Sequence, residues 1–415
     1  MLPPRERNVD VLIIGAGPAG LAAATELAGH GVGNIEVLER EHVPGGIPRH
    51  SNHTGYGLRD LHKIMSGPAY ARHYTEAAIK VGAIIRTGVT ATGWLAPRSL
   101  EVTGPEGLEC ITARAVILAT GARERSRSAR LIPGTRPSGI YTTGLLQQLV
   151  YVHGQRIEGR AVIVGAEHVS YSAAVTLHHA GARVVGMVTD FPRHQSYTLF
   201  RFGAAMRYRF PLLTSTSVTR LLGREQLEGV EIRHPDGRME IIAADAVVFT
   251  GDWIPDHELA RRGGIDLNNA TKGPSIDTDL ATNIEGVFAA GNLLHPVETA
   301  DVVALDGRHV ARSVMKFLDG SVAPVATLNI GVEPPLQWIT PDRIGVGTAP
   351  PRDRFILRSD ASHFRPTLEV TQGERLLYRY TVNHWVGPNR SVCLPSSWLS
   401  RVDPKNGPLL VREVW

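Results

Sequence analysis

The chain has 415 residues, too many for one ordinary core, so two or three domains are expected. Charged residues make up 20% and hydrophobic residues 43%, and the net charge of +4 is spread without a basic run, which suits a globular protein and excludes a nucleic-acid-binding stripe. The two cysteines, Cys110 and Cys393, make no disulfide framework and cannot alone supply the four thiolates of an ordinary iron–sulfur cluster. No apolar run approaches the roughly 18–20 residues of a membrane span, and no apolar signal region precedes the first strand. The chain is therefore read as cytoplasmic, with any association with the inner membrane made through partners.

The first motif is "VDVLIIGAGPAGLAAATELAGHGVGNIEVLERE", which predicts strand, turn, helix, strand. Val9 and Val11–Ile14 form a buried parallel strand, apolar almost throughout because both faces are covered. Gly15 allows the tight turn, Gly17 lets the backbone approach a pyrophosphate, and Gly20 lets the helix pack on the strand. The helix from about Pro18 and Ala19 to His30 points its first N–H groups at the phosphates. The second strand ends at Glu39, nineteen residues after Gly20, where a carboxylate accepts from a ribose, and Arg40 follows it. The motif alone does not distinguish FAD from NAD.

Next comes "EHVPGGIPRHSNHTGYGLRD", with Gly45-Gly46, then His50 and His53, and with His42 and His62 nearby. Three readings stay open: imidazoles bonded to backbone in a polar loop, imidazoles beside a cofactor or a phosphate with Arg49 and Arg59, or a metal site. The histidines have no clear carboxylate or cysteine partner, so no metal site is assigned. "AVILATGARER" is an apolar strand ending in Ala119, Thr120 and Gly121.

A damaged copy of the first motif follows, "GRAVIVGAEHVSYSAAVTLHHAGARVVGMVTD". It keeps the strand and Gly165 but carries Glu167 and Ser170 where the other two glycines would fall. A side chain at 167 stands where a pyrophosphate needs bare backbone, and its carboxylate repels phosphates. Asp190, followed by Arg193, is a plausible ribose partner. "LEGVEIRHPDGRMEIIAADAVVFTGDWIPD" predicts a hairpin turning at Pro-Asp-Gly, then a buried strand ending at Thr250-Gly251. "TNIEGVFAAGNLLHPVETAD" is a short strand ending at Gly291-Asn292, then a helix from near Pro296. From about residue 329 the texture is proline-rich and then alternating, with turns at Gln372-Gly373 and Asn406-Gly407, which predicts a small β domain. Trp385, Trp398 and Trp415 are expected there as core or interface anchors.

The first motif, the Ala-Thr-Gly strand and Gly291-Asn292 together resemble the two-dinucleotide-domain flavoproteins, the pyridine nucleotide-disulfide oxidoreductase superfamily that includes glutathione reductase and rubredoxin reductase. The resemblance implies an α/β fold with two Rossmann-like domains. An FAD-binding domain (1–145 and 255–328) would be interrupted by an NAD(P)-type domain with a degenerate phosphate loop (146–254), ahead of a β-rich domain (329–415). It implies FAD held by Gly15, Gly17, Pro18, Ala19, Gly20, Glu39, Arg40, Gly45, Gly46, Ala119, Thr120, Gly121, Gly291 and Asn292. In that superfamily the last motif is usually Gly-Asp and its acid binds the ribityl chain. Asn292 stands there instead, an amide that can still accept from and donate to a hydroxyl. The following helix would aim its positive end at the flavin.

Disulfide reductases of the superfamily carry a cysteine pair after Gly-Gly. Here Pro48 and His53 fall at those positions, which excludes thiol–disulfide exchange there. "GGIPRHSNHTGYGLRDL", "ILATGARER", "YTTGLLQQLVY" and "GVFAAGNLLHPVETADVVALDGRHVA" narrow the resemblance to the FAD subunits of hydrogen cyanide synthase, opine oxidase and dye-linked proline or hydroxyproline dehydrogenase complexes. That implies a hetero-oligomer that also holds a small [2Fe–2S] protein and a second FAD subunit, and a small amine, amino acid or opine-like substrate. The chain departs from opine-oxidase-type subunits in lacking a cysteine-rich segment. NAD(P) is disfavoured as a partner, and another adenine nucleotide at the second domain stays open. His50, His53 and His295 are the candidate catalytic residues. The competing readings are an NAD(P)H-dependent reductase of an electron carrier and a scaffold subunit that keeps its cofactor only for stability.

Overall fold

The computed structural model describes residues 5–196, 207–321, 327–345 and 347–414. The chain forms two compact units, one comprising Met1–Arg49, Thr54–Ala122 and Pro255–Trp415, the other His50–His53 and Arg123–Ile254. The first unit opens with β1 (Arg5–Ile14), α1 (Pro18–Gly29) and β2 (Ile35–Glu39), followed by α2 (Gly67–Lys80) and strands β3 (Ile84–Thr87), β4 (Thr90–Ala96), β5 (Ser99–Gly104) and β6 (Gly107–Leu118). Their order in the sheet is β3-β2-β1-β6-β5-β4. Parallel pairing brings Ile14 opposite Leu118 and Val11 opposite Ile35, so the C-terminal ends of β1, β2 and β6 finish at one edge. Val11, Leu12 and Ile13 are fully buried, as a strand covered on both faces requires.

The second unit repeats the plan with β7 (Ile140–Thr142), β8 (Arg160–Val164), α3 (His168–Ala180), β9 (Arg183–Val188), β10 (Leu212–Leu213) and β14 (Ala246–Phe249) in the parallel order β7-β14-β8-β9-β10. Between β10 and β14, β11 (Ser217–Gly223), β12 (Leu227–Arg233) and β13 (Met239–Ala243) form an antiparallel sheet, with the expected Pro-Asp-Gly turn joining the last two. β7 lies in the stretch read from sequence as part of the first domain. Its pairing with β14 carries it into the second sheet, and the long segment of this unit begins at Arg123.

On its return the chain adds β15 (Val287–Ala289) alongside the last residues of β6, then α4 (Ala300–Leu318). The helix starts at Ala300 rather than near Pro296, with Thr299 at the N-cap position and Asp301 in its first turn. It packs against α1 at very short range. A side chain at Gly307 would run into the carbonyl oxygen of Ala19, so only glycine allows this approach. The C-terminal strands form a five-stranded sheet and a three-stranded sheet around Phe355, Leu357, Val370, Leu394, Trp398 and Val411. Trp398 is fully buried and stacks on Phe355, whereas Trp385 is 41% exposed beside Phe364. Trp415 lies outside the described residues.

A buried polar cluster ties the loop after β2 to α2 and α4. Asp60 Oδ2 accepts from the hydroxyls of Tyr70 at 2.5 Å and Tyr74 at 2.7 Å, and Arg308 of α4 donates to the Tyr74 oxygen at 3.2 Å. Burial, reinforced by this carboxylate, holds both phenols well above their ordinary range, so they act as donors. Tyr74→Phe removes one donor to a buried carboxylate and should destabilise the first unit by about 1–3 kcal/mol. Thermal unfolding of the variant checks this, and an unchanged midpoint would mean that the cluster does not anchor the loop.

Candidate functional site

The turn at the C-terminal edge of the first sheet gathers the glycine-motif residues. Gly15 N–H donates to Leu38 O at 2.8 Å, tying the turn to β2. A side chain at Gly20 would strike the Gly15 carbonyl, which is why α1 can start so close to β1. Gly17 differs: a Cβ there would meet no heavy atom within 4 Å. This is the cradle a pyrophosphate needs, open on the side of the free N–H groups that begin α1. Pro18 and Ala19 form the first turn of that helix.

The remaining expected residues converge on the same turn. The buried Glu39 carboxylate accepts from Ala16 N–H at 3.0 Å through Oε2 and from Glu41 N–H at 2.9 Å through Oε1, so it is fixed and still has lone pairs for ribose hydroxyls. Gly45 N–H donates to Ala16 O at 2.8 Å, and a Cβ on Gly46 would sit 3.0 Å from Gly17 Cα. Ala119 N–H donates to Ile14 O at 2.8 Å, Thr120 Oγ1 donates to Asp256 O at 2.7 Å, and Gly121 O accepts from Asp256 N–H at 2.8 Å. Arg40 pairs with the Asp256 carboxylate at 3.1 Å. Gly291 closes on Ala19, whose Cβ would lie 2.9 Å from a Cβ built on it. The residue set fits an FAD.

Some expected contacts are redirected. The Asn292 amide, expected to face a ribityl hydroxyl, is engaged by the backbone of Glu298: Oδ1 accepts from its N–H at 2.8 Å and Nδ2 donates to its carbonyl at 3.2 Å. One N–H of that amide is left to donate elsewhere. His295 is buried with Nε2 2.8 Å from Asp306 Oδ2, and Asp306 also binds Arg352 from the C-terminal sheet region. It is thus part of an internal ion network. The Asp301 carboxylate occupies the first turn of α4, accepting from Val302 N–H at 2.9 Å and from Arg59 N–H and Nη1 at 3.2 Å. The positive end of that helix is therefore already partly satisfied by a carboxylate of its own. Arg49, read as a phosphate partner together with Arg59, donates to Val43 O at 2.7 Å and lies 3.5 Å from Glu41. His50 is buried and His53 half-buried. Among the described residues no three His, Cys, Asp or Glu side chains form a metal-binding group.

The corresponding turn of the second unit has the same backbone. Gly165 N–H donates to Val188 O at 2.7 Å, as Gly15 does to Leu38, and Ala166 O accepts from Gln195 N–H at 3.0 Å, as Ala16 O does from Gly45. Here Glu167 folds inward, 7% exposed. Its Oε2 lies 2.7 Å from Ser170 Oγ and 2.9 Å from Thr250 Oγ1, while Ser170 Oγ accepts from Glu167 N–H at 3.0 Å. A Cβ on Gly165 or on Gly251 would lie 2.5 Å from one or other of its carboxylate oxygens, so the carboxylate fills the space between the two strand ends. Arg130 donates to the carbonyls of Thr250 at 2.9 Å and Gly251 at 2.7 Å. Burial lowers the Arg130 pKa, while the charges of Asp252 and Glu167 oppose that shift. The anion expected at the start of α3 is the protein's own.

Sequence reasoning located the glycine turns but missed the Asp60–Tyr70–Tyr74 cluster and the partners of Asp256, Asp301 and Asp306. The spacing of Tyr70 and Tyr74, one helical turn apart, was the one local signal available.

The family profile described as pyridine nucleotide-disulphide oxidoreductase matches residues 9–307. Hydrogen cyanide synthase subunit HcnB of Pseudomonas protegens is 27% identical over 61% of this chain and 54% of its own length. An opine oxidase subunit of Agrobacterium tumefaciens is 27% identical over 77% of this chain and 65% of its own. A ferredoxin–NADP reductase of Salinispora arenicola is 28% identical over 69% and 86%. The chain thus spans between about half and two thirds of the two oxidase-type subunits it matches. In fold it is similar to the crystal structure of thioredoxin reductase from T. acidophilum, with a TM-score of 0.64 at 21% identity over 76% of this chain and 100% of the other.

Proposed function

The chain belongs to the pyridine nucleotide-disulphide oxidoreductase family, an FAD-binding family with NAD(P) among its relatives' cofactors, and on that premise we propose that it is the FAD-binding subunit of a multi-subunit dehydrogenase or oxidase. Its substrate is an amine, amino acid or opine-like molecule oxidised at a C–N bond. The electrons pass to a partner's flavin or to a small [2Fe–2S] protein. The observation that carries this reading is the contrast between the two turns: Gly17 leaves one cradle open, and Glu167 fills the other.

Bound FAD would supply two-electron redox chemistry. The chain's own part is to hold it. The N–H groups of Gly17, Ala19 and Gly20 take the pyrophosphate, Glu39 accepts from the adenosine ribose, and Arg40, Gly45, Gly46, Ala119, Thr120, Gly121, Gly291 and Asn292 wall the site. No thiol pair follows Gly45-Gly46, so electrons do not leave through a disulfide there. His50 and His53 are the candidates for moving a proton, whereas His295 is committed to Asp306. The second unit serves as scaffold or holds another adenine nucleotide. The naming of HcnB and of the opine oxidase relative as subunits supports a hetero-oligomer, which we place in the cytoplasm. No helix among the described residues is long and apolar enough to cross a membrane.

A second reading, an NAD(P)H-dependent reductase of an electron carrier, is favoured by the match to most of a ferredoxin–NADP reductase. It requires Glu167 to leave the turn. Anaerobic titration of the purified chain separates the two. We expect NADH and NADPH to leave the visible flavin band unchanged and dithionite to bleach it. Rapid bleaching by either nucleotide would overturn the proposal in favour of the reductase. Flavin that dithionite reduces but that no substrate reduces in the assembled complex would leave only the scaffold role.

A further inference from the structure

The loop between Asn292 and α4 is gripped from the C-terminal sheets. Arg358, on the strand Arg354–Ser359, is only 6% exposed and lies over the Trp338 ring at 5.2 Å from its centroid. Its Nη2 donates to Pro296 O at 3.4 Å and Val297 O at 3.5 Å, and faces Glu298 Oε1 at 3.6 Å. Glu298 is the residue whose backbone N–H and carbonyl hold both ends of the Asn292 amide. In the first turns of α4, Arg352 donates to Val302 O at 3.0 Å and to Asp306.

We infer that Arg358 is a positioning residue for FAD: it fixes the 296–298 backbone, and through Glu298 it sets the position of Asn292 and Gly291 at the cofactor. The inference rests on the reading that FAD lies against Gly291-Asn292. A guanidinium buried this deeply carries a desolvation cost that an apolar side chain of the same volume would avoid. Burial lowers its pKa, and Glu298 opposes that shift. What the charge provides instead is reach, because one guanidinium nitrogen, Nη2, faces two carbonyls and a carboxylate on consecutive residues of a single loop. The cation–π contact with Trp338 holds the guanidinium in that orientation. On this reading the C-terminal sheets are part of the cofactor site, although none of their residues need touch FAD.

The test is a double-mutant cycle on the full chain with Arg358→Met and Asn292→Ala, and Arg358→Lys as the conservative variant. The readouts are the FAD dissociation constant on reconstitution, the visible flavin spectrum, and the melting midpoint of the flavin-free protein. We expect R358M to weaken FAD binding about tenfold or more and to shift the flavin band, the scale of one lost charge-assisted contact. R358K should recover part of both. N292A should give the same spectral shift, and the double variant should be little worse than either single, as coupled residues behave. If R358M fails to fold, the pair R358K and N292A carries the cycle. Wild-type FAD affinity and spectrum in the Arg358 variants, or effects of the two sites that simply multiply, would overturn the inference. A wild-type chain that takes up no FAD would instead refute the cofactor reading beneath it.

Discussion

Gly17→Glu should give a folded chain that has lost its FAD. The backbone at Gly17 has φ −82°, a value any L-residue adopts, and a Cβ there meets no heavy atom within 4 Å, so the substitution costs the apoprotein little. The variant repeats in the first turn what Glu167 does in the second. The new carboxylate lies among the first N–H groups of α1, where a carboxylate is favoured and a phosphate would otherwise sit. Steric exclusion and anion repulsion then act together on the pyrophosphate. We expect FAD affinity to fall by about 100-fold or more, equivalent to about 3 kcal/mol, with the circular dichroism spectrum unchanged. Flavin absorbance per mole of purified protein measures the effect. A G17E protein that still carries one flavin per chain would place the cofactor somewhere other than the β1–α1 turn.

The residues legible in the sequence are those whose role is set by their own backbone. Gly15, Gly17 and Gly20 are constrained by a turn and a close approach within a few residues, and Glu39 by its distance from them, so a string of letters suffices. The obstruction at Glu167 was legible for the same reason. That its carboxylate is satisfied by Ser170 and Thr250 was not, because Thr250 comes from a strand 83 residues away. The same limit hid the partners of three other carboxylates. Asp256 meets Arg40 across 216 residues, Asp301 meets Arg59 across 242, and Asp306 meets Arg352 across 46. Each pairing depends on which elements become neighbours after folding, and neither hydrophobic period nor motif spacing encodes that. Asn292 shows the intermediate case. Its place at the end of β15 was legible, but its amide is turned by a backbone six residues on. The helix expected from near Pro296 begins at Ala300, with the Asp301 carboxylate in its first turn accepting from Val302 N–H.

The repeated fold explains why the second turn can lose two glycines and persist. Both turns tie their first glycine to the neighbouring parallel strand, through Leu38 in one and Val188 in the other. Those backbone bonds and the buried strands beneath them stabilise the domain with or without a ligand. Glu167 and Ser170 then complete the start of α3 with a capping box, the task a bound phosphate performs elsewhere.

Asp306→Asn should be the most destabilising single change in the first unit. The side chain is 1% exposed and joins α4 to His295 and to Arg352. Removing its charge leaves the Arg352 guanidinium, itself largely buried, without its counter-ion, which costs about 3–5 kcal/mol in buried pairs. For a unit of this size the melting midpoint should fall by on the order of 10 °C. The pH dependence identifies the group responsible. Burial alone would raise the Asp306 pKa, but Arg352 and His295 outweigh it and hold the carboxyl below the ordinary carboxylate range. A depressed folded pKa means that its stabilisation is fully present above the unfolded value of about 4 and is lost only as pH falls through the lower folded value. The difference in melting midpoint between wild type and D306N should therefore stay constant from about pH 8 to 5 and shrink only below about pH 4. A difference that instead begins to close well above about pH 5 would show that the Asp306 carboxyl is not the group responsible.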